Sequence, residues 1–132
     1  MGYLSNVRFR LEKDKYEELV NKFEEERQKD TAKMSDLFGK DEQTNWIDLI
    51  HREEKATVYD ENYKGTEVDT VYFGWNGLKW YRGYKDVDLI MDFVYSQDHF
   101  AYSRIGEESG DIDIEAQGFE ELWTYSAFEN DD

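Results

Sequence analysis

The chain has no cysteine and no proline among its 132 residues, and only two histidines. Without cysteine there is no disulfide scaffold, no thiol nucleophile and no cysteine zinc site. No window approaches the eighteen or so uninterrupted apolar residues of a membrane span, and residues 1–10 hold no apolar leader segment. Met1-Gly2 starts like a myristoylation signal, but Asn6 stands where that signal needs Ser or Thr. No glycosylation sequon occurs. The expectation is a cytoplasmic protein. Positive charge is also scarce: 16 Lys and Arg face 32 Asp and Glu, a net charge of −16. Such a chain repels nucleic acid and anionic membranes. What the sequence does have is aromatic side chains, 10 Tyr, 8 Phe and 4 Trp, enough to build a core where disordered acidic chains cannot.

The charge is uneven. Residues 1–55 carry 14 acids and 11 bases, and residues 56–104 carry 8 and 5. Beyond Arg104 come ten acids and no Lys or Arg, so −10 of the −16 lies in the last 28 residues. Acidic ends often serve only solubility. Here the pattern inside the block carries more than its charge.

Hydrophobic periodicity gives the elements. Tyr3 to Leu11 alternates as a strand, with Val7 and Phe9 opposite Arg8 and Arg10. Lys13 to Lys29 reads as a helix, its stripe formed by Tyr16, Leu19, Val20 and Phe23. Thr31 to Phe38 extends as a further helical turn or two stopped by Gly39, and Trp46 to Ile50 forms a short helical cluster. Lys55–Glu61 and Glu67–Trp75 read as strands around a turn at 62–65, and Asn76-Gly77 as a hairpin turn. Asp86 to Ser96 is a deeply buried helix. His99–Ile105 and Asp111–Glu115 form a hairpin, and Trp123 and Tyr125 tether the final segment, with residues 129–132 a frayed acidic tail. The order implies a single α+β domain over residues 1–132, an antiparallel sheet with two main helices packed mostly on one face.

Catalytic patterns are missing. His51 and His99 fall on different elements and read as surface or capping residues. There is no nucleophile elbow, phosphate-binding glycine loop or dinucleotide fingerprint. Asp111, Asp113 and Glu115 mimic the first ligands of a calcium loop, but Ala116 and Leu122 stand where Gly and Glu are required. No enzyme activity, cofactor or metal is expected.

As a strand, Asp111-Ile112-Asp113-Ile114-Glu115 sets its carboxylates on one face about 7 Å apart. That row resembles the charges along a nucleic-acid strand, and Glu107, Glu108, Glu120 and Glu121 extend it. It fits a basic groove built for phosphates. A second candidate surface is the aromatic patch at 75–84, with Trp75, Trp80 and Tyr84 as its anchors, a composition shared by core and by interface hot spots.

Three short stretches carry a resemblance: Met1-Gly2-Tyr3-x-Ser5-x-Val7, Gly74-Trp75-x-x-x-Lys79-Trp80-Tyr81 and Arg104-Ile105-Gly106-Glu107. They resemble small acidic bacteriophage and prophage accessory proteins. The resemblance implies a phage gene product of the anti-CRISPR and anti-restriction kind, many of which mimic DNA. The expected function is thus non-catalytic inhibition of a host defence nuclease, the partner being a basic nucleic-acid-binding protein such as a CRISPR effector. An immunity protein against a nuclease toxin, or an interaction module docking through residues 75–84, are the alternatives.

Overall fold

A computed structural model describes residues 3–29, 50–59, 61–62 and 64–122. The expected elements at 31–39 and 46–49, the tether at Trp123 and Tyr125, and the tail at 129–132 lie outside them. The chain order is β1 (Ser5–Glu12), α1 (Lys13–Lys29), β2 (Ile50–Tyr59), β3 (Gly65–Leu78), α2 (Lys85–Tyr95), β4 (Phe100–Gly106) and β5 (Ile112–Gln117). The strands form one antiparallel sheet in the order β2-β3-β1-β4-β5. This is the expected α+β domain. Among the described residues no helix is long and apolar enough to cross a membrane.

β1 lies at the centre of the sheet, and its Val7, Phe9 and Leu11 are completely inaccessible. Phe9 lies between Phe73 of β3 and Tyr102 of β4, its two cross-strand partners, with ring centroids 5.2 and 5.1 Å away. The helices cover this face. Tyr16, Leu19 and Phe23 of α1, and Val87, Ile90, Met91 and Val94 of α2, complete the main core. Each such side chain contributes about 1.5–3 kcal/mol through burial.

The second face is not a wet one. Arg8, expected opposite the core, is only 1% exposed and donates to the carbonyls of Val7 and Trp75 and to Asn76 Oδ1. The sheet curls toward this side until Tyr59 N–H at the tip of β2 donates to the Gly118 carbonyl just beyond β5, at 2.8 Å. A smaller apolar cluster of Tyr72, Ala101, Phe119 and Leu122 fills the curl. The Arg52 guanidinium lies 4.4 Å from the Tyr72 ring centroid, a favourable cation–π contact.

Two sequence expectations fail here. Asn76-Gly77 makes no hairpin; β3 runs on through it to Leu78. Opposite it, Ser5 and Val7 of β1 face Leu78 and Trp75, so β3 carries an extra residue and bulges. Gly77 adopts φ 68° there and donates its N–H to Asn6 Oδ1. A local turn signal was answered by a distant strand. Ile50, expected in a helical cluster, instead opens β2, which starts five residues before the expected Lys55.

Candidate functional site

The expected acidic strand exists, and its charges are held. β4 and β5 pair so that Arg104 stands directly opposite Asp113. The guanidinium donates from Nε to Asp113 Oδ2 at 2.8 Å, from Nη2 to Asp111 Oδ1 at 2.6 Å and from Nη1 to Ser5 Oγ at 2.9 Å. Arg104 is the last cation in the chain, and it sits between the first two acids of the row. The arginine's hydrogen bond, followed by one from Tyr3, holds the Asp111 carboxyl below its ordinary pKa.

The chain's start is tied to the same hairpin. Tyr3 Oη donates to Asp111 Oδ2 at 2.6 Å and accepts the Glu108 N–H at 2.8 Å. Leu4 N–H donates to Glu107 Oε2 at 2.6 Å. Burial and the hydrogen bond to Asp111 push the Tyr3 hydroxyl pKa up. The carboxylates of Glu107, Asp111 and Asp113 therefore have fixed positions, while Glu108 and Glu115 are exposed. Five acids against one arginine leave this hairpin with a net charge of −4.

The alternation along β5 is as expected, but its orientation is not that of a solvent row facing away from a core. Asp113 and Glu115 share the helix-side face with Arg104 and Tyr102, their cross-strand partners. Ile112 and Ile114 lie on the curled side, where Ile112 is 43% exposed. The expected extension through Glu120 and Glu121 does not form. Gly118, at φ 80°, turns the chain out of β5 and sends it across the curled face. There Glu120 and Glu121 line a cavity of about 380 Å³ with Arg10, Arg52 and Lys55. They face cations, not the acidic row.

The aromatic patch is mostly core. Trp75 and Trp80 are 3% and 8% exposed, stacked on each other at 6.0 Å and packed against Phe9. Tyr84 is half-buried beside Tyr81. Trp75 and Trp80, so enclosed, offer no docking surface. The most exposed aromatic among the large hydrophobics of the described residues is Tyr95 on α2, 46% exposed. It forms one wall of a groove of about 610 Å³ between α2 and β5, with Trp80, Met91 and Tyr102 as apolar lining and Asp113 and Glu115 on the strand side. Burial first, then the charges of Glu115 and Asp113, raise the Tyr95 pKa. Across the groove mouth Arg82 is paired with Asp88 at 3.3 Å and Asp92 at 2.9 Å.

His51 and His99 sit on separate strands' ends, His51 near Tyr16 at 3.4 Å and His99 near Glu12 at 3.3 Å. Among the described residues no group of three or more His, Asp or Glu could hold a metal ion. Sequence reasoning found the acids but missed the counter-ion; the signal was the lone cation preceding an uninterrupted acidic run. The fold and site together define a small α+β protein with a pinned acidic hairpin at one sheet edge. Compared with protein families, curated proteins and solved structures, the chain matches none.

Proposed function

We propose that this protein is a non-catalytic acidic inhibitor that occupies the basic nucleic-acid-binding groove of a host defence nuclease in the host cytoplasm. The observation that carries the reading is the pinned hairpin: carboxylates fixed by Arg104 and Tyr3, with a net charge of −4 on one protruding turn and edge. A mimic of phosphates needs charges whose positions are set before binding, because ordering them during binding costs affinity. The overall charge of −16 adds long-range steering toward a cationic groove.

The test uses purified tagged protein to capture partners from a bacterial host extract, at ~50 and at ~500 mM salt. A basic nuclease retained at low salt, released at high salt and displaced by duplex DNA is the expected result. Glu107→Gln/Glu108→Gln/Glu115→Gln leaves one acceptor oxygen on each side chain, enough for the Leu4 N–H bond at position 107, and leaves the Arg104 pairs intact, so it removes charge with little loosening of the hairpin. It should weaken capture about tenfold or more. Capture unchanged by these substitutions, or insensitive to salt, overturns the mimic.

A further inference from the structure

β5 is the last strand of the sheet; the tip of β2 meets its outer side only beyond its end, where Tyr59 N–H donates to the Gly118 carbonyl, and among the described residues no strand pairs along Ile112–Ile114. The Asp111 carbonyl accepts from Gly106 N–H, so by antiparallel alternation Asp113 and Glu115 direct their backbone groups to β4. Ile112 and Ile114 then direct theirs outward. Ile112 N–H is taken by the Gly110 carbonyl, which leaves the Ile112 carbonyl and both groups of Ile114 free to accept a neighbouring strand. Natural sheets cover or blunt such edges. This one has a sided chemistry: acids toward the helices and isoleucines toward the curl.

The geometry points to β-strand addition at the β5 edge, the occupant being an extended segment of a partner that alternates Lys or Arg with aliphatic residues. The inference rests on the acidic-inhibitor reading and specifies how the basic partner is held. In such a strand, cations at every second position stand beside Asp113 and Glu115, and the intervening aliphatic side chains continue the Ile112–Ile114 face. The charge selects the partner. A second copy of this chain would bring Asp113 and Glu115 against their like, which is repulsive, so self-pairing is disfavoured where a cationic strand is attracted. Tyr95 and the rest of the α2 groove lie on the cation side, and an aromatic face beside two carboxylates suits a Lys or Arg head group.

The experiment uses the whole protein, isotope-labelled, with three synthetic peptides: one alternating Lys and Val, the same peptide N-methylated along one edge, and one with its Lys and Val in separate blocks. N-methylation keeps the charge and removes the donors of that edge. Expected is slowed amide exchange at Ile114 with the alternating peptide, while Asp113 and Glu115, already bonded to β4, change little. Affinity should fall about tenfold for the N-methylated and block peptides. Equal binding of all three without protection of Ile114 overturns strand addition and leaves the acidic-surface reading standing. No binding of the alternating peptide overturns it too. A dimer of the free protein with Ile114 already protected would assign the edge to a second copy and refute the cationic occupant.

Discussion

The two edges of the sheet solve the same problem in different ways. Along β2 the charges are mixed and neutralised at home: Lys13 with Glu53 at 2.8 Å, Arg10 with Glu54 at 2.7 Å, Lys55 with Asp69 at 3.1 Å. Along the β5 hairpin one arginine serves two aspartates, and Glu108 and Glu115 have no cationic partner among the described residues. Both arrangements deter edge-to-edge aggregation. Only the second leaves a surplus of one sign. A self-neutralised edge is indifferent to what approaches it, whereas an edge with surplus charge discriminates, so the contrast separates a protective edge from a selective one.

The largest effect lies midway between the edges. Phe9→Ala removes the ring that joins β3 to β4 through β1 and should cost about 3–5 kcal/mol, collapsing both edges together in a denaturant titration. Next comes the comparison itself. Arg104→Met strips the counter-ion from Asp111 and Asp113 at a position only 14% exposed and should cost about 1–3 kcal/mol. Lys55→Met breaks an ion pair whose partners are 62% and 69% exposed and should cost about 0–0.5 kcal/mol. Equal losses in thermal unfolding would mean that the edges are not built differently.

Acid sharpens the same contrast. The folded Asp111 carboxyl titrates below its ordinary value of 3.8, so its contribution is complete above that pH and is lost as pH falls below it. Glu53 on the other edge is also lowered, by Lys13, but that pair is about half exposed and well screened. Amide exchange between pH 6 and pH 3 should therefore loosen the β4–β5 hairpin more than the adjoining part of β2. The smallest expected change is in stability on Glu115→Lys, within about 0.5 kcal/mol. That substitution should nonetheless weaken the salt-sensitive capture of a basic partner by about tenfold, turning the selective edge toward a mixed one.

Much of this contrast was legible before the structure. Repeating apolar spacing located β1, α1, α2 and the β4–β5 hairpin within a residue or two, because each buries one face and the pattern records which. The failures share a cause. Asn76-Gly77 has the composition of a tight turn, yet what it does depends on Ser5 and Val7, some seventy positions away. Arg8 read as lying opposite the apolar face of β1, and nothing nearby shows that the sheet curls over that side. In the site, the acids were visible as a run, but their capture by Arg104 and Tyr3 depends on cross-strand register, and the departure of Glu120 and Glu121 depends on the turn at Gly118. Trp75 and Trp80 could be read as core or as surface; the pairing of β3 with β1 sets Trp75 in the core, and Trp80 follows by packing on Trp75 and Phe9.

The central place of β1 bears on how the chain reaches its native state. Its two partners, β3 and β4, lie about sixty and ninety positions further on, so the middle of the sheet must wait for the most distant pairings to close. Among the described residues the neighbour β1 can meet first is α1, whose Tyr16, Leu19 and Phe23 share a core cluster with Val7, Phe9 and Leu11. Such long-range pairings slow folding relative to helical bundles, whose contacts are local. During synthesis β1 emerges long before either flanking strand, stays unpaired until β3 has been made and keeps one open side until β4 follows. A helix lying over a strand that has no sheet yet is, in that interval, its nearest equivalent of a chaperone.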